Sequence, residues 1–194
     1  METYKNLLSE SLKKINEKYF SRHERDFSYE LYHLLRSVIS NNVELTAETP
    51  KGKFEVVQIL LESIFFCKYF YNQNNFSLES NSYKKSPDLL IHEYDTRKKQ
   101  LIAIEIKPLD KSVSLILTDV TKLMFYTKCE LKYKSGILIL FSKDLNHRKI
   151  TQIQNNINNS LIHFPEIEIW VANFHQIKII WTNGTAQNPP IEIV

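Results

Sequence analysis

With 194 residues, 43% of them hydrophobic and 24% charged, the chain has the composition of one globular domain, long enough to bury a core. Its three glycines exclude a glycine-rich phosphate loop of the P-loop or dinucleotide type. Its two cysteines, Cys67 and Cys129, exclude a disulfide framework and carry no metal-ligand spacing. A net charge of +3 tolerates a polyanionic partner without arguing for one. The polar N-terminus and the short apolar runs predict a cytoplasmic protein without a membrane span.

Leu7, Leu8, Leu12, Ile15 and Tyr19 recur at helical spacing and predict a first amphipathic helix. A second spans Phe27–Ser40, where Leu31, Leu34, Leu35 and Val38 form the buried stripe, with Glu30 and His33 one turn apart beside it. Val43–Glu48 alternates as a short strand, and Glu48 closes it. Pro50 and Gly52 then break the chain before an apolar segment, about 54–71, that predicts a buried helix. A polar loop leads to two strands, Asp88–Glu93 and Leu101–Lys107, joined by the turn YDTRKKQ. Pro108 ends the second strand because it offers no amide to the ladder.

A helix over Ser114–Glu130 follows, then a strand at Gly136–Phe141 and a helix over Asn146–Asn158. Glu166–Asn173 and Ile177–Thr182 read as a closing strand pair, and 183–194 as a loosely held tail. The order describes a single α/β domain over 1–194, with a mixed central sheet flanked by helices, an N-terminal helix and a C-terminal strand pair.

Chemistry concentrates between Ser86 and Pro108. Side chains alternate along a strand, so Glu105 and Lys107 share a face with Leu101 and Ala103, while Asp88, Leu90 and His92 share one on the partner strand. A turn centred between Asp95 and Lys98 sets Asp88 opposite Glu105 with Lys107 diagonal to it. Leu89 and Ile91 then meet Ile102, Ile104 and Ile106 in an apolar set, and a one-residue slip exposes the isoleucines, so the register is strongly specified. Two facing carboxylates repel unless a cation or a proton lies between them. Mg²⁺ takes one or two carboxylates with waters and a phosphate oxygen, and it activates water beside a phosphodiester. The plainer reading of the same residues is a salt-bridged surface hairpin.

The pattern Pro87-Asp88 followed by Glu105-Ile106-Lys107 resembles the PD-(D/E)xK, restriction-endonuclease-like nuclease superfamily. YELYHLLR supplies Glu30, where that family often carries an extra acid from the first helix, and TDVTKLMFY is similar to an acidic-x-x-Lys-Leu pattern in its members. The similarity covers about 27–141, interrupted by the apolar insertion 54–71. It implies an αβββαβ core and a nuclease dependent on Mg²⁺ (or Mn²⁺), cutting DNA rather than RNA. Asp88, Glu105 and the Ile106 carbonyl would hold the metal, Lys107 would position water, and Glu30 would shape the site or bind the metal through water. Lys122 would touch phosphate, where spacing alone gives only an exposed ion pair with Asp119.

Arg97, Lys98 and Lys99 on the hairpin turn are further candidates for backbone phosphate, as are Lys84-Lys85 and His147-Arg148-Lys149. Double-strand cleavage with one site per chain favours a homodimer or a place in a larger defence or repair complex. The alternative is a catalytically silent module that keeps the fold to bind nucleic acid or a protein.

Overall fold

The computed structural model describes residues 2–39, 43–47, 87–93, 100–128, 133–161 and 164–193. Helix α1 spans Glu2–Lys13 and, after a 3₁₀ turn at Glu17–Ser21, α2 spans Glu24–Val38. Strands β1 (Val43–Ala47), β2 (Leu89–Glu93) and β3 (Gln100–Pro108) lead to α3 (Val113–Lys128), β4 (Ser135–Phe141) and α4 (His147–Leu161). β5 (Ile167–Ala172), β6 (Ile177–Thr182) and β7 (Thr185–Glu192) close the chain. The expected helix over 54–71 and the strand-ending Glu48 lie outside the described residues.

Among the described residues seven strands join one sheet in chain order, β1 to β7. β1, β2 and β3 run antiparallel, β4 and β5 continue parallel to β3, and β6 and β7 return antiparallel. The two parallel pairings are those bridged by helices, as a crossover requires. No helix among the described residues is long and apolar enough to cross a membrane.

Both faces of the sheet are covered. On one, Leu8 and Leu12 of α1 and Phe27, Leu31 and Leu35 of α2 pack on Leu89, Ile91, Ile102, Ile104, Ile106, Ile137 and Ile139. Phe27 stacks on Phe141 at 4.1 Å, which seats the start of α2 over the carboxyl end of β4. On the other face, Ile116, Val120 and Leu123 of α3 and Ile150, Ile153 and Ile157 of α4 pack on Ala103, Leu138, Leu140, Ile169 and Val171. The period-2 prediction for the isoleucines of β2 and β3 is therefore met, with one difference. The face bearing Glu105 is also a core face, because α3 crosses it between the parallel strands β3 and β4.

The loosely held tail expected over 183–194 is instead an ordered edge strand. Asn183 and Gly184 take φ of 53° and 73°, the two positive values of a tight hairpin turn, and Thr182 pairs with Thr185 across it. Asn-Gly is the strongest short hairpin signal a sequence offers, and here Pro189 and Pro190 obscure it. Proline is tolerated because β7 is at the sheet edge.

A partly buried ion pair ties α1 to the sheet. Glu168 of β5, 8% exposed, accepts from Lys5 Nζ at 2.8 Å, Trp170 Nε1 at 2.9 Å and Thr182 Oγ1 at 3.1 Å. Removing only the lysine strands a buried charge, so Lys5→Met is expected to cost about 3–5 kcal/mol. Lys5→Met combined with Glu168→Gln should recover part of that loss, as read from urea unfolding midpoints at constant slope. Equal midpoints for the native chain and Lys5→Met would contradict the assignment.

Candidate active site

The end of β3 gathers the charged residues. Leu89 pairs with Ile104 and Leu90 with Ala103, the register that sets Asp88 opposite Glu105. Asp88 precedes β2 and is anchored through its backbone neighbour: Ile106 N–H donates to Asp88 Oδ2 at 2.7 Å. Glu105 and Lys107 follow at alternate positions, beside Leu138 and Leu140 of β4. Apolar neighbours on the strand and α3 overhead leave Glu105 only 1% exposed.

Two lysines and four carboxylates meet there. Lys107 Nζ donates to Glu24 Oε2 at 2.8 Å and pairs with Asp119 Oδ2 at 3.2 Å. Lys122 Nζ donates to Glu105 Oε2 at 3.1 Å and pairs closely with Asp119 Oδ1. The result is an alternating chain, Glu24–Lys107–Asp119–Lys122–Glu105, with Asp88 alongside. Glu105 Oε1 is buried and, among the described residues, has no hydrogen-bond partner.

Proton affinities follow from this burial. Desolvation, with Glu24 adding, pushes the Asp88 carboxyl up to about 6 from 3.8, against the Ile106 amide and both lysines. Burial likewise drives Glu105 well above the usual carboxylate range, with Asp88 and Asp119 adding and Lys122 opposing. Burial alone would lower both lysines. The carboxylates outweigh it: Glu105 and Asp119 raise Lys122, and Glu24 and Asp119 raise Lys107. Tyr126, one turn beyond Lys122, has its hydroxyl raised by burial and by the Glu105 charge.

Several expected residues fall elsewhere. Glu30 is not the helix acid that meets Lys107; Glu24 is, six residues earlier. Six residues along a helix amount to about 9 Å and a third of a turn, so Glu30 lies further along α2 than the acid that meets Lys107. Glu24 starts α2, and only its first turn overhangs the end of β3. Lys122 is not in an exposed ion pair, because α3 buries it against Glu105. The register shift after Ile91 places the extra residue on β3, so Leu101 leaves the Ala103 face and joins Ile102 in the core, while His92, in an unbroken ladder with β1, keeps the Leu90 face four residues from Asp88. Arg97, Lys98 and Lys99 lie outside the described residues, and Gln100 is seven residues from Lys107, about 23 Å at strand rise. Asp119 and Glu24 are the residues that sequence reasoning undervalued. Lys122 three positions after Asp119 was the visible signal for one; nothing local marks the other.

No protein-family model, no curated protein and no solved structure matches the chain.

Among the described residues no group of three or more His, Cys, Asp or Glu side chains is spaced to hold a metal ion. Mg²⁺ needs fewer, taking one or two carboxylates and completing its shell with water and phosphate oxygen. Asp88 and Glu105 are hard oxygen donors of that kind, and the orphaned Glu105 Oε1 lacks the partner that a cation would supply. The donor set therefore fits a hard divalent cation held by Asp88 and Glu105.

The raised carboxyl of Asp88 has a stability consequence. The folded state binds its proton more tightly than the unfolded chain does, so stability falls as pH rises from about 4 through 6. Asp88→Asn keeps an acceptor for Ile106 N–H and removes the buried charge. Without metal it should stabilise the protein by about 2–3 kcal/mol at pH 7.5, an advantage that shrinks as pH falls through 6 toward 4. Denaturation series at pH 7.5, 6 and 4 read this directly; a gain independent of pH would refute the burial argument.

Proposed function

We propose that the protein is a metal-dependent nuclease of the PD-(D/E)xK type that hydrolyses phosphodiester bonds in DNA. The observation that carries this reading is the buried Glu105 carboxylate with its unpartnered Oε1, beside Asp88 and two lysines at the end of β3. With every group ionised, four carboxylates face two ammonium groups, a net charge of −2 in a desolvated site. A further cation, or protons, must relieve it. The αβββαβ order supports the reading: α2, then antiparallel β1, β2 and β3, then α3, and β4 parallel to β3.

Each residue has a task under this reading. Asp88 and Glu105 would hold Mg²⁺ or Mn²⁺, with the Ile106 carbonyl adjoining them. When bound, such a cation supplies Lewis-acid charge that acidifies water and stabilises the scissile phosphate. Lys107, held between Glu24 and Asp119, orients the attacking water. Lys122 would answer charge on the phosphate, with Asp119 holding its ammonium in place. Raised proton affinity at Asp88 and Glu105 makes metal loading compete with protons, so activity rises with pH through 6.

A silent binding module is favoured by one observation: Lys122 already sits on Glu105, as a structural pair would. Purified protein incubated with plasmid, linear and single-stranded DNA separates the two. The nuclease reading expects cutting with Mg²⁺ or Mn²⁺, abolition by EDTA, and loss by about 10²-fold or more in Asp88→Ala, Glu105→Gln and Lys107→Ala. Cutting that survives these changes places the activity elsewhere. Binding of DNA without cutting by the native chain establishes the module.

A further inference from the structure

Strands β3, β4 and β5 are parallel and end side by side. Pro108 pairs with Phe141 and Phe141 with Ala172. The chain leaves them in register, with Leu109 N–H donating to Phe141 O at 2.8 Å and Ser142 N–H to Ala172 O at 3.1 Å. The three following loops thus form one rim next to Lys107, at the carboxyl ends of the strands, where open α/β sheets take their ligands. Lys111, Lys143 and Arg148 are exposed along it and Lys149 is half-buried, against Asp110 and Asp144.

The third loop adds two aromatic rings. Phe174 is 46% exposed, and its ring lies 5.3 Å from that of the exposed His175, edge to face. The turn that bears them is tied by hydrogen bonds of one residue. Asn173, only 8% exposed, accepts through Oδ1 from His175 N–H at 3.0 Å and from Gln176 N–H at 2.9 Å. Its own N–H donates to Gln176 O at 3.0 Å. A buried amide thus holds an exposed phenylalanine outward, where burial in the core would otherwise be worth about 1.5–3 kcal/mol.

We propose that this rim docks a single-stranded nucleic acid, with an unpaired base stacked on Phe174 and His175 and the backbone on Lys111, Lys143 and Arg148. Basic side chains tracking a backbone beside an aromatic platform are how single strands are held without sequence reading. A duplex would meet the same rim through its phosphates alone, since its bases are already stacked. β3 and β5 lie about 10 Å apart across the sheet, so the platform sits a few nucleotides from Lys107. The inference rests on the nuclease reading and names its substrate form.

Fluorescence anisotropy in EDTA, with a labelled short oligothymidylate and a blunt duplex of mixed sequence, tests it independently of cutting. Phe174→Ala should weaken oligothymidylate binding about tenfold or more and leave duplex binding unchanged, while Phe174→Trp retains both. Lys143→Glu with Arg148→Glu should weaken both probes and flatten their salt dependence. The proposal is overturned if the native chain binds no oligothymidylate, if Phe174→Ala binds it as tightly as the native chain, or if the duplex loses as much. Platform binding in a chain that never cuts keeps this inference and rejects the nuclease. Cutting of single strands by Phe174→Ala at the native KM does the reverse.

Discussion

Lys107 reaches over the end of β3 to carboxylates in both helical layers, Glu24 at the start of α2 and Asp119 in α3. Those layers lie on opposite faces of the sheet and otherwise share no core, since each packs on its own set of strand side chains. The ammonium is therefore a clasp, and Asp119 extends it to Lys122 and Glu105. Neighbouring charges along this chain alternate in sign, which is what lets six ionisable groups share a desolvated site. Breaking one link leaves a buried charge unbalanced, a more costly event than losing an exposed pair.

The alternation is incomplete, and the incompleteness points to chemistry. Asp88 is held by a backbone amide, and among the described residues Glu105 keeps one oxygen without a partner. Both acids resist ionisation for the same reason, burial. A site tuned only for stability would replace such groups with apolar ones of similar volume. Retained carboxylates with raised proton affinity in a charged recess are the arrangement that sites of catalysis and metal binding share.

Strand alternation and register made half of this legible in the sequence. Isoleucines at 102, 104 and 106 could face only a core, so Glu105 and Lys107 had to share the opposite face and Asp88 had to lie across from Glu105. What period-2 reasoning could not reveal is that the opposite face is also covered. That depends on α3 crossing between two parallel strands, a tertiary fact that turned Asp119 and Lys122 from surface neighbours into buried members of the chain. Glu24 was less legible still, because its contact with Lys107 comes from where α2 begins, whereas the motif-like context belonged to Glu30. The Asn183-Gly184 hairpin was readable and was masked by the prolines that follow it.

The central claim is that the free oxygen of Glu105 marks a cation site for which Lys122 competes. Calorimetric titration of Mn²⁺ at pH 8 into the native chain, Glu105→Gln and Lys122→Met tests it most directly. One site per chain is expected, lost in Glu105→Gln and tightened in Lys122→Met, where the competing ammonium is gone. A native chain that binds no Mn²⁺, or binding that Glu105→Gln leaves intact, would contradict it.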